Sequence, residues 1–187
     1  MLGKKLKIWG LFSLLIVCTS SVWGGNDRTT PIDVYIIVDS SSAMEKGREE
    51  AVNWLCTTVI DGILLTGDRI WIWTAGNRPE LIYSGTLGNK EDAKAAIRGI
   101  RYEGNAADYR GALQEAKNQA GKSNRTSYTL LISGSGAKDP PSQEAESAGL
   151  LQHSRVESFS GWRVLTVGFD LGPKVHRASA YYKNHRN

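Results

Sequence analysis

The chain has 187 residues, 41% of them hydrophobic and 22% charged. That is enough for one domain with its own core, and ordinary for a soluble globular protein. It excludes a disordered, collagen-like or multi-span membrane chain, and two cysteines exclude a disulfide-stapled scaffold and a multi-cysteine zinc site.

The formal net charge of +4 is unevenly placed. Met1 to Gly24 has the three parts of a secretory signal: Lys4, Lys5 and Lys7, then the apolar run Ile8 to Val17, then the small and polar stretch Cys18 to Gly24. The run is shorter than the roughly 20 residues that a membrane span takes. The expectation is a domain over residues 25–187, secreted or periplasmic and of bacterial type, with an uncleaved membrane anchor as the alternative. Without the three signal lysines, 20 basic residues face 19 acidic ones, so the basic stripe that nucleic acid requires is missing. One bias remains. Lys174, Arg177, Lys183 and Arg186 lie in a tail without acids, which reads as a solvated basic helix or as a contact for an acidic partner or anionic surface. Cys56 is then the only cysteine left, on a predicted helix, and reads as a buried inert thiol.

Asp33 to Val38 is an almost continuous apolar run, as expected of a strand covered on both faces. After Asp39-Ser40-Ser41-Ser42, the residues Met44, Gly47, Ala51, Leu55, Val59 and Gly62 recur at helical spacing and predict one buried face. Gly67-Asp68 is a turn. Arg69 to Ala75 is a second buried strand, with Trp71 and Trp73 on one face as core. A short strand over Leu81 to Ser84 follows, then a helix from Asn89, as N-cap, to about Gly99. Arg101 to Ala107 is a loop and Asp108 to Ala120 a helix. Tyr128 to Ser133 is a third long strand, ending in Gly134-Ser135-Gly136. Asp139 caps a helix that opens on Pro140 and Pro141 and runs to about Gln152. Trp162 to Phe169 is a fourth long strand, and Pro173 opens a last helix ending near Asn184. Alternating strands and helices imply an α/β fold: a single doubly wound, Rossmann-like, three-layer domain, its sheet mostly parallel with one short antiparallel edge strand. Ligands of such sheets bind at the carboxyl ends of the strands, where Asp39, Ser41 and Gly134 fall.

The text around Asp39, the stretch Gly104 to Asp108 ahead of Ala112-Leu113, Leu130 to Ser133 and Val164 to Phe169 together resemble a von Willebrand factor A domain over about Pro31 to Asn184. The resemblance implies a divalent-metal site on three loops: Asp-x-Ser-x-Ser on the first, a Thr on the second and an Asp on the third. A hard cation such as Mg²⁺ wants about six oxygens, which such loops and a partner's carboxylate would supply. Asp39 and Ser41 match the first two positions. Ala43, Ala107 and Gly134 stand where a Ser, the Thr and the Asp belong. The expectation is therefore a vestigial site with no cofactor, Asp39 and Ser41 serving the turn. The alternative is an atypical Mg²⁺ or Mn²⁺ shell that draws on Asp108 or Asp139, although both also sit at helix starts as caps.

Enzyme readings fare poorly. A phosphatase-type Asp39 would need a second Asp where Ser41 stands. Ser133 to Gly136 lacks the Gly-x-Ser-x-Gly spacing of a hydrolase elbow, and the histidines His153, His176 and His185 come late in the chain. What remains is a non-enzymatic module that binds another protein, with no nucleic acid among its partners. Its loops offer Ser40, Ser42, Tyr102, Tyr109, Arg110 and Ser135 as contact candidates, Tyr and Arg being types that dominate interface energies.

Overall fold

A computed structural model of the chain describes residues 28–134, 153–159 and 161–168. The expectations for the signal at 1–24, for Ser135, for Asp139 with its helix and for the basic tail lie outside these residues.

The first strand, β1 (Asp33–Asp39), is buried along its whole length. A helical stretch follows, then β2 (Arg69–Ala75) and β3 (Pro79–Thr86). Two helices, α2 (Lys90–Arg98) and α3 (Tyr109–Ala120), precede β4 (Ser127–Gly134), and the hairpin of β5 (His153–Phe159) and β6 (Trp162–Gly168) ends the described chain. The sheet order is β3-β2-β1-β4-β6-β5. β1 runs parallel to both β2 and β4, with Ile36 opposite Ile72 and Leu130. This parallel centre is the part covered on both faces, as its continuous apolar runs require.

The antiparallel edge formed by β3 is as expected and longer, spanning Pro79–Thr86. The other side of the sheet departs from a simple parallel continuation. β6 pairs antiparallel with β4, and β5 antiparallel with β6. His153 thus opens a strand instead of ending a helix. The sequence of β5, His-Ser-Arg-Val-Glu-Ser-Phe, carries two large apolar residues, too few for periodicity to reveal a strand.

Strand alternation sorts the core into two. Val34, Ile36 and Val38 face the helical stretch after β1 and α2, together with Ile70, Ile72 and Ile132. Tyr35 and Ile37 face α3, together with Trp73, Leu131 and the helix residues Tyr109, Leu113 and Ala116. Three layers result, helix on sheet on helix. Trp71 and Trp73 lie on the α3 side, where Tyr35 stacks on Trp71 at 5.0 Å between ring centroids.

The first helix is not uniform. It begins as a 3-10 segment (Ser42–Gly47), becomes α1 (Arg48–Trp54) and widens into a π segment (Leu55–Ile63). At the widening, the Thr57 hydroxyl donates to the Asn53 carbonyl at 2.8 Å, a side-chain bond that competes with the helical ladder. The wider turns change which residues face inward. Cys56 and Ile60 are buried beside Leu55 and Val59, whereas Gly62, expected on the buried face, is exposed. Among the described residues, no helix is long and apolar enough to cross a membrane.

At the pole where β1 begins, two buried carboxylates are each held by an arginine. Asp33 receives Arg69 at 2.8 and 2.5 Å. Asp68, fully buried, receives both Nη atoms of Arg28 at 2.6 Å and the amides of Ile32 and Leu65 at 3.0 and 2.8 Å. It thereby ties the segment before β1 to the turn before β2. Asp68→Ala would strand these two buried amides and the arginine, each amide being worth roughly 1–3 kcal/mol when left unpaired. We expect urea denaturation to show a loss of at least about 3 kcal/mol; a loss under 1 kcal/mol would contradict the tie.

Candidate functional site

The opposite pole gathers the carboxyl ends of β1 and β4, the turn after β1 and the start of α3. Asp39 ends β1 and its side chain turns inward, leaving the residue 1% exposed. A carboxylate buried to that extent requires donors, because removing it from water unpaired is costly. It has three. One oxygen accepts the Ser41 amide at 2.8 Å. The other accepts the Tyr109 hydroxyl at 2.5 Å and the Gly134 amide at 3.3 Å. The O–H···O distance is in the short range of bonds to charged acceptors.

The three donors come from three separate segments. Ser41 lies on the turn after β1, Tyr109 in the first turn of α3, and Gly134 at the end of β4. Backbone bonds knit this pole together: Ser42 N–H to Gly104 O at 3.0 Å, Ser40 N–H to Ala75 O at 3.1 Å, and Asp108 N–H to Gly76 O at 2.8 Å. Gly104 has φ +103°, a conformation that favours glycine.

Asp108 caps α3, its side chain accepting the Gly111 amide at 2.8 Å. That is the local role expected for a residue at a helix start, and it turns one oxygen of this substitute ligand toward the helix. Asp139 and Ser135 lie outside the described residues.

Among the contact candidates, the structure separates outward from inward. Ser42 and Arg110 are exposed. Tyr109 and Ser40 are not, at 5% and 6%. Tyr109 was expected as a surface contact. Instead its ring packs in the core with Ile37 and Trp73, and its hydroxyl is committed to Asp39. Ser40 is shut in beside Gly76, its Oγ 3.0 Å from where a Cβ on that glycine would stand. Tyr102 is half-buried under the guanidinium of Arg48, 5.1 Å above its ring. Its hydroxyl has no hydrogen-bond partner among the described residues. Burial, opposed by the charge of Arg48 and aided by that of Asp39, pushes this phenol up to about 12. It stays neutral at physiological pH.

The described residues at the pattern's positions do not fit a divalent cation. Both oxygens of Asp39 accept hydrogen bonds from protein donors, three in all, against about four lone-pair sites on a carboxylate. Ala43 and Ala107 bring no side-chain oxygen. At the end of β4 a side chain is excluded sterically: a Cβ built on Gly134 would stand 2.8 Å from the Ala43 carbonyl oxygen and 3.1 Å from its carbon. Any side chain there would collide with the backbone of the 3-10 segment. Among the described residues, no group of three His, Cys, Asp or Glu side chains is placed to hold a metal.

This steric closure has a direct test. Gly134→Ala should overpack the contact with Ala43 and cost about 1–3 kcal/mol, read by urea denaturation. Unchanged stability would show that the loops have room to spare.

Two features of the site were hidden in the sequence. Tyr109 follows a cap residue and so reads as surface, and nothing local announces that its hydroxyl reaches back across 70 positions. The approach of Ala43 to Gly134 likewise belongs to the packed fold, although a glycine at a strand end is the kind of residue that permits it.

Comparison with known proteins agrees with this architecture. The model of the von Willebrand factor type A domain matches residues 34–137, more than half of the chain. A search of curated proteins finds no match. Similar solved structures include proximal thread matrix protein 1 of the mussel byssus, with zinc in its metal-ion-dependent adhesion motif (15% identity, TM-score 0.49, 64% of this chain and 33% of that one). Another is the type V pilus tip protein Mfa5 of Porphyromonas gingivalis (16%, TM-score 0.43, 58% and 22%). A third is the ArnB paralog VWA2 of Sulfolobus acidocaldarius (17%, TM-score 0.43, 63% and 31%). The chain thus spans between about a fifth and a third of these solved chains. On the family match, this protein belongs to the von Willebrand factor type A domains, a family of protein-interaction modules.

Proposed function

We propose that this protein is a secreted or periplasmic, non-enzymatic module that binds another protein through its loop face without a metal ion. The observation that carries this reading is the state of Asp39. In a metal site the carboxylate must offer an oxygen to the cation, and in a nucleophile it must be free to attack. Here both oxygens accept hydrogen bonds from Ser41, Tyr109 and Gly134, which supports neither role. Asp39 and Ser41 are the vestige of a metal site retained as a turn.

The surface left for a partner is made of Ser42, Arg48, Arg78, Arg101 and Arg110, all exposed, with the half-buried ring of Tyr102. Arginine and tyrosine are suited to anchoring an interface, since each combines apolar area with directed donors. Export rests on the signal-like segment Met1 to Gly24.

The test is the melting temperature of the protein in excess Mg²⁺, Mn²⁺ or Ca²⁺ against chelator. A cation at 100 times its dissociation constant would add about 2.7 kcal/mol, a rise of several degrees in a domain of this size. We expect no metal-dependent shift. A shift lost in Asp39→Ala would instead establish a metal-binding adhesion module with an atypical shell.

A further inference from the structure

We infer that the Tyr109 hydroxyl has replaced the cation as the organiser of the loop face, so that the face is fixed by a bond internal to the protein and carries no metal-operated switch. The inference rests on the metal-free reading above, but concerns what took the metal's place.

A cation in such a site does two things. It stabilises the buried carboxylate, and it draws separate segments of the chain onto one point. In this chain both tasks are done by protein groups. Tyr109 donates from α3 to one oxygen of Asp39, and Gly134 donates to the same oxygen from the end of β4. Ser41 holds the other oxygen from the first loop. These segments therefore converge on the carboxylate itself. The tyrosine is well placed for this because its ring is anchored in the core beside Ile37, Trp73 and Leu113. Its hydroxyl is held at the sheet edge by packing, and not by the mobility of a surface side chain.

Two consequences follow. The loss of the metal is not reversed by restoring hydroxyl ligands, since Tyr109 still occupies the carboxylate. The loops also keep one arrangement whether or not cations are present, and binding at this face is constitutive. Tyr109 is a positioning residue for that face, acting through Asp39.

Hydrogen exchange of the intact protein tests this. In Tyr109→Phe, whose ring still fills the core, the amides of Ser41 and Gly134 should exchange at least about tenfold faster, the loss expected from removing a bond to a charged group. The amides of Ile32 and Leu65, at the opposite pole, should keep their rates. Adding Mn²⁺ should not restore the slowed exchange. Alongside, Ala43→Ser with Ala107→Thr in the Tyr109 background should show the same melting temperature with Mn²⁺ as with chelator. Unchanged or uniformly altered exchange in Tyr109→Phe would overturn the inference while leaving the metal-free reading intact. A Mn²⁺-dependent rise in the double variant would show that the tyrosine does not bar the cation. A metal shift in the wild-type chain would remove the premise of both.

Discussion

A carboxylate buried at the end of a central strand must be satisfied, and in this protein that single requirement shapes the whole loop face. Asp39 sits where β1, flanked by β2 and β4, delivers it among three separate segments. Water is excluded from it. Its charge must be met by a cation or by hydrogen-bond donors, and a half-satisfied group would cost several kcal/mol. Two backbone amides and a phenol meet it. The same donors fix the turn after β1, the start of α3 and the end of β4 relative to one another. In the function proposed above, a partner would meet the surface that these fixed segments present, where Arg48, Arg78, Arg101 and Arg110 are exposed.

The other pole solves the same problem differently. Asp33 and Asp68 are buried too, and there the compensation is ionic, from Arg69 and Arg28. Both arginines remain partly exposed, at 33% and 21%, so each guanidinium keeps some of its hydration while its fork fills the carboxylate. At the loop pole, among the described residues, no such cation reaches Asp39, and a neutral donor is used. A guanidinium there would have brought a charge into a crowded apolar setting. The tyrosine brings a ring that the core accepts and one polar atom where it is needed.

Much of the fold could be read from the sequence because its strands are extreme. β1, β2 and β4 are nearly pure runs of β-branched, aromatic and aliphatic residues, and no other local structure suits them. The edges were harder. β3 is longer than its apolar core suggests, and β5 is polar enough to escape notice, since an edge strand has one face and one rim to leave to solvent. The helical stretch after β1 showed its buried face and the buried Cys56, but the winding change at Thr57 placed Ile60 inward and Gly62 out. For the site, the departures from the family's metal-binding pattern at Ala43, Ala107 and Gly134 were legible. The donors that meet Asp39 were not. Tyr109 reads locally as a helix-start residue beside the cap Asp108, and its inward rotamer is decided by contacts with Ile37 and Trp73, which are distant in sequence. The closure of Gly134 against Ala43 is a property of two backbones meeting, which residue spacing does not encode.

In the proposed reading, protein donors and not a metal complete Asp39. Crystals grown with excess Mn²⁺, with anomalous diffraction collected near the manganese edge, address it most directly. The expected map has no anomalous peak within bonding distance of Asp39 and places the Tyr109 hydroxyl against the carboxylate. A manganese peak on Asp39, with Tyr109 displaced from it, would contradict the claim.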